Sequence, residues 1–201
     1  MPTGVAMRDA RTQLFDAAGR VLLRDGPNAL TSRAVTTEAG CAKGVLHRHF
    51  ADFDAFLADL VHDRVDRMHG QAVALREAAG IGTVADNLTR ALTSLFGSVA
   101  VAIIPLITFR DELRARLRQA GPAGGIPILT EATAMISAYL TAECELGRIA
   151  ADADVDSITL SLVGGGHLLF AGREGARPGV DAVDNLVTAA IADVVARGVS
   201  P

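Results

Sequence analysis

The stretch from Leu30 to Phe56 reads LTSRAVTTEAGCAKGVLHRHFADFDAF, and it decides the reading of this chain. Thr31 or Ser32 can cap a short helix through its hydroxyl. Ala34, Val35 and Ala39 form the inner face of that helix, and Gly40 ends it after two turns. Ala42-Lys43-Gly44 opens a further short helix with Leu46 and Phe50 inward. Two short helices joined by a tight glycine turn make a helix-turn-helix pattern. Val35, Ala39, Cys41 and Leu46 are apolar where two crossing helices must touch. The second helix carries Lys43, the single lysine of the chain, among small neighbours. Small side chains let a helix enter a major groove, where a lysine reaches a base edge or a phosphate.

Outward from this stretch the sequence is helical on both sides. Before it, Leu14, Ala17, Ala18, Val21 and Leu22 fall on one face of a helix spanning about residues 9–25. Asp25-Gly26-Pro27-Asn28 stops that helix. After it, a fourth helix starts near Asp52, with a stripe of Phe56, Leu57, Leu60, Val61, Val65 and Met68, and Gly80 and Gly82 close the region. Thr83 to Ser98 reads as a fifth helix. Pro105 is expected to bend or split the next, and Leu113 and Leu117 continue a helix bearing Arg114, Arg116 and Arg118. The run Gly121–Pro127, GPAGGIP, is the strongest loop signal. Helices follow at about 128–147, 155–173 and 181–197, the last two separated by Gly175–Gly179. No segment has a strand period, so an all-α fold of about nine helices is expected.

Composition agrees with that class. Half of the 201 residues are apolar, which excludes a disordered chain, and tryptophan is absent. The net charge of −4 is unevenly spread. Residues 1–50 hold seven Lys/Arg against four Asp/Glu, or +3, and the remainder holds twelve against nineteen, or −7. A basic head on an acidic body suits a nucleic-acid partner for the head. Cys41 and Cys144 stand far apart and outside metal-ligand spacing, so a reducing compartment is expected. The N-terminal MPTGVAMRDAR lacks the apolar run of a signal peptide. The longest apolar stretch, Leu95 to Phe109, is broken by Gly97 and Pro105 and reads as buried helix, not a membrane span.

The residues quoted above resemble the TetR family of bacterial regulators. Thr31, Ala39-Gly40-Cys41-Ala42-Lys43-Gly44 and Leu46-His47-Arg48-His49-Phe50 carry the resemblance. It implies an N-terminal DNA-binding domain at residues 1–52 and a ligand-binding and dimerisation domain at 53–201. It places Thr31, Ser32 and Arg33 on phosphates, and Ala42, Lys43, Gly44 and Val45 against the major groove. His47 and Arg48 would lie near the backbone or bases, and Phe50 would anchor the helix. Three positions depart from the family pattern. His47 stands where a phosphate-contacting tyrosine is usual, Phe53 where a lysine is usual, and Thr36 where alanine is usual. The resemblance also implies a homodimer built by the last two long helices, with Val155, Ile158, Leu162, Leu169 and Phe170 as contacts. It implies repression at a near-palindromic operator in the cytoplasm, ended by a small ligand.

The remaining motifs have plain structural readings beside their functional ones. His47 and His49 point apart on a helix, so no metal is expected. Gly164-Gly165-Gly166 lacks the strand and lysine of a phosphate loop, and points to a kink or a close helix approach. Phe96, Ile103, Ile104, Ile107, Phe109, Met135 and Tyr139 form either plain core or the lining of a ligand pocket, with Tyr139 and His167 as its polar groups. Few charges fall there, so an apolar ligand is expected. No catalytic grouping or cofactor motif is present, so an enzyme is not expected. The competing reading is a helical small-molecule-binding protein or enzyme with weak or no DNA binding.

Overall fold

The computed structural model describes residues 4–97, 99–120, 125–171 and 178–198. Among them are ten α-helices and no strand, as the all-α reading expects. The chain divides into two compact units.

The first unit holds the chain up to Asp63 together with Ala102–Ile126. Its elements are α1 (Gly4–Asp25), α2 (Ser32–Glu38), α3 (Gly44–His49), the start of α4 (Phe53–Glu77), most of α6 (Ala100–Phe109) and α7 (Asp111–Ala120). A short 3-10 turn, Pro27–Ala29, follows α1 where the sequence places a break. The apolar face of α1, with Leu14, Ala17, Ala18, Val21 and Leu22, is buried. Val35 of α2 and Leu46 of α3 are buried as well, with α1 packed on α2 and α2 on α3. Phe15, Phe50 and Phe56 form an aromatic cluster with ring centroids 5.0–5.9 Å apart. Burying such rings supplies much of the driving force for so small a head.

The second unit comprises Arg64–Val101 and the chain from Pro127 onward. It contains the rest of α4, α5 (Val84–Phe96), α8 (Pro127–Glu145), α9 (Val155–Ala171) and α10 (Val180–Gly198). Helix α5 begins at Thr83, whose hydroxyl oxygen accepts from the Asp86 N–H at 3.0 Å. Helix α9 packs on α8, α5 and α10, and α10 packs on α5. Leu88, Leu92, Met135, Ile136, Leu162, Val187 and Ile191 are core residues of this unit.

Several details differ from the sequence expectation. Pro105 sits inside α6 without splitting it, and the break falls at Arg110, which separates α6 from α7. That separation makes ten helices where about nine were expected. Phe109, expected in the apolar interior, is 83% exposed at the last turn of α6. The run of three glycines lies within an unbroken α9, so close approach and not a kink explains it. A Cβ at Gly165 would stand 2.7 Å from Leu186 of α10, and one at Gly166 would stand 2.7 Å from the ring of Phe96. Residues 121–124 of the expected loop, 175–177 of the later one, and Ser98 lie outside the described residues.

Candidate nucleic-acid interface

The local chemistry of α2 and α3 follows their sequence. Thr31 is extended, and its hydroxyl oxygen accepts from the Ala34 N–H at 3.1 Å, which caps α2. Thr36 is buried, and its hydroxyl hydrogen points at the Ser32 and Arg33 carbonyls, 3.0 and 3.2 Å away. The hydroxyl that departs from the family's alanine is therefore satisfied within its own helix. Glu38 closes α2 by accepting from Arg20 at 2.7 Å and Arg24 at 2.8 Å, both on α1. Those two guanidinium groups, Arg20 first, hold the Glu38 carboxyl below its usual range.

Gly40 makes the turn at φ +65°. An added Cβ there would meet nothing within 4 Å, so the backbone conformation alone calls for glycine. The Gly40 and Cys41 N–H groups donate to the Thr37 and Thr36 carbonyls, which folds the chain back between the helices. Val35 and Leu46 are each 0% exposed beneath this turn. At the far end, Phe50 leaves α3 in an extended conformation and buries its ring.

What remains outward is polar and cationic. Thr31, Arg33, Ala42, Lys43, Gly44, His47 and Arg48 are exposed, while Ser32 and Val45 are half-buried. Arg33, Lys43 and Arg48 have no acidic partner among the described residues. By contrast, Arg11 pairs with Asp59, and Arg20 and Arg24 pair with Glu38. Arg11, Arg20 and Arg24 of α1 are thus taken up by carboxylates, while Arg33, Lys43 and Arg48 stay available to an anion. The Ser32 hydroxyl is buried without a hydrogen-bond partner beside this face. Phe53, where the family usually has lysine, stacks on Phe56 at 5.6 Å and lies under the Arg110 guanidinium at 5.6 Å.

The other expected sites fall elsewhere. Of the proposed ligand-pocket residues, Ile103 and Ile107 are buried in the first unit. Phe96, Met135, Tyr139 and His167 belong to the second. His167 lies 6.2 Å from Phe96, and partial burial lowers its basicity. The Tyr139 hydroxyl accepts from Asn87 Nδ2 at 3.0 Å and hydrogen-bonds to Glu143, and burial raises its pKa. Glu143 is itself fully buried, 3.4 Å from Arg148.

A cleft of about 290 Å³ opens between α4 and α5, and Met135 is the one pocket candidate that lines it. Its polar lining, Gln71, Asn87, Arg90 and Ser94, was not singled out from the sequence. These residues carry no motif, and only the packing of α4 on α5 brings Gln71 within 3.1 Å of Ser94. Of the expected dimer contacts, Val155, Ile158, Leu169 and Phe170 are half-buried. Leu162 is 0% exposed and packs within its own chain. The outward side of α9 instead shows Leu160 and Leu168, 71% and 73% exposed, with Gly164 between them.

Residues 14–60 match the family model of bacterial regulatory proteins of the tetR family. No curated protein matches the chain by sequence. Among solved structures, Escherichia coli NemR in its reduced form is similar, with 13% identity and a TM-score of 0.72. That match covers 95% of this chain and 100% of the other. A TetR transcription regulator from Haloarcula marismortui is 16% identical over 93% and 98% of the two chains, with a TM-score of 0.66. The Bacillus subtilis regulator FadR, solved with stearoyl-CoA, is 17% identical over 91% and 98%, with a TM-score of 0.62.

Proposed function

We propose that this chain, a TetR-type transcriptional regulator with the family's DNA-binding head, acts as a repressor that a small ligand releases from DNA. The observation that carries the reading is the exposed row of Arg33, Lys43 and Arg48, cations without acidic partners on the outward face of α2 and α3. Thr31, Ser32 and Arg33 would meet phosphates at the start of α2. Ala42, Lys43, Gly44 and Val45 would face base edges in the major groove, with His47 and Arg48 beside them. Ser32, whose hydroxyl lacks a partner, would find one in a phosphate oxygen.

In this reading residues 1–52 form the DNA-binding domain, and residues 53–201 bind ligand and dimerise. Two copies would join through α9 and α10, and the open Leu160, Gly164 and Leu168 face of α9 supports that assignment. A dimer would place its two α3 helices in successive major grooves of a near-palindromic operator, about 34–36 Å apart. The body offers an apolar interior to a small molecule. A protein of this fold solved with stearoyl-CoA, whose acyl chain is apolar, supports an apolar ligand part. Release requires only that the ligand bind better to a state whose heads no longer fit the operator. No catalytic step and no metal enter the scheme, and it operates in the cytoplasm, where the DNA is.

A gel-shift with the DNA upstream of its own gene tests the reading. Tight, salt-sensitive and sequence-dependent retardation is expected. Indifference to that DNA at low salt would leave a helical small-molecule-binding protein in its place.

A further inference from the structure

The cleft between α4 and α5 has an apolar body and a one-sided charge. Its walls are Ala74, Leu75, Ala78, Ala91 and Met135. Its polar groups are Gln71, Ser94, Asn87 and Arg90, so no carboxylate lines it. Gln71 Nε2 donates to Ser94 Oγ at 3.1 Å, and the serine hydroxyl keeps its own hydrogen to donate. Arg90 donates through Nε to the Asp86 main-chain carbonyl at 3.3 Å and through Nη2 to Asn87 Oδ1. Both acceptors are neutral, and Arg90 has no acidic partner among the described residues. Asp86 and Asp184 line a neighbouring depression that Arg90 also borders, and neither lines the cleft.

A guanidinium left with weak neutral acceptors exchanges them for a carboxylate with gain, because charge-assisted and bidentate bonds are the stronger ones. The cleft's about 290 Å³ lies at the small end of ligand sites, which suits a short aliphatic chain. Met135 also floors a second cleft, of about 220 Å³, between α4 and α8. Its flexible thioether can adjust to the length of such a chain.

We propose that this cleft binds an amphipathic carboxylic acid, with the carboxylate on Arg90 and the aliphatic chain along Ala74, Leu75, Ala78, Ala91 and Met135. The inference rests on the ligand-responsive reading above and narrows its apolar ligand to an aliphatic acid. Arg90 selects the head group, and Gln71 and Ser94 supply donors beside it.

The test is calorimetric titration of the full chain with decanoate and with decanol, which share a chain and differ in charge. Decanoate is expected to bind about tenfold tighter, a modest factor because Arg90 is exposed and screened. Raising the salt concentration should shrink the difference. Arg90→Gln, checked for folding by its melting curve, should abolish the preference while decanol still binds. Ala91→Leu, which adds bulk to the apolar lining, should weaken both probes. Equal binding of the two probes, no binding of either, or a preference that survives Arg90→Gln overturns the assignment. A gel-shift with decanoate separates the two levels. Arg90-dependent binding that leaves the DNA complex intact sinks ligand-induced release and leaves the cleft assignment standing.

Discussion

Gly166 on α9 faces the ring of Phe96 on α5 so closely that a Cβ would stand 2.7 Å from it. The neighbouring Gly165 holds the same relation to Leu186 of α10, whereas Gly164 meets nothing within 4 Å. Three consecutive glycines therefore have different surroundings. Two let α9 sink against α5 and α10, and the third lies on the open face.

Gly166→Ala should destabilise the protein by up to about 2 kcal/mol, because an overpacking cost of about 1–3 kcal/mol against the ring is offset by only about 1 kcal/mol of helix gain from alanine. Gly164→Ala, with no such neighbour in the chain, should raise stability by up to about 1 kcal/mol. Urea unfolding of the two variants checks the contrast. If Gly164→Ala also weakens self-association in sedimentation, a second copy approaches that face closely, as the proposed dimer requires.

Lys43→Ala should weaken operator binding by about 1–3 kcal/mol and leave thermal stability near that of the unsubstituted protein. Lys43 makes no side-chain cap bond and is exposed, so the fold loses nothing with it. The salt dependence tells which partner it meets. A dimer losing two phosphate contacts should show a slope of log K against log salt shallower by about 1.8, and a lost base contact should leave the slope unchanged. Unaltered affinity at every salt concentration would remove Lys43 from the interface.

Thr31→Ala removes the hydroxyl that accepts from the Ala34 N–H, and should cost about 1 kcal/mol of stability. Thr31→Ser keeps that oxygen and should hold stability within a few tenths of a kcal/mol. DNA affinity should follow the same order, since the hydroxyl is proposed to sit beside a phosphate. Equal melting temperatures for the three proteins would show that the cap is not used in solution.

Asp52 joins the head to acid stability. Its carboxylate accepts from the Ala55 N–H at 2.7 Å at the start of α4 and pairs with Arg116 of α7. The backbone N–H first, and Arg116 after it, hold its pKa below the ordinary 3.8. A depressed carboxylate stabilises the fold above its unfolded pKa, and that contribution fades as acid carries the pH down through the folded value. Asp52→Asn keeps a capping oxygen and loses the charge. Its melting temperature should lie below the parent's at neutral pH, and the gap should close below about pH 4. A gap that stays constant from pH 7 to pH 3 would show that the charge adds nothing.

Much of the head could be read directly from the chain. The Thr31 cap, the Gly40 turn and the inward Val35, Leu46 and Phe50 all stand where their sequence positions predict. These features depend on neighbours within a few residues, such as a hydroxyl three positions from an N–H. The helix break at Arg110 escaped the reading because Pro105 was the stronger local signal, yet α6 runs through it despite the missing donor. Phe109 misled for a related reason. Its apolar character and its run of apolar neighbours promised burial, but the last turn of α6 faces it outward.

By itself the sequence determined the helices, the turn that makes the head, and the cations that the head can offer to DNA. Hydrogen bonds and side-chain periods along a few residues set those, and they are written in order along the chain. The tertiary structure alone decided which cations remain unpaired, which of three glycines are crowded, and that Gln71, Arg90 and Ser94 share one cleft. Those outcomes depend on contacts between helices far apart in sequence, and local pattern does not encode which side of each helix its neighbours will cover.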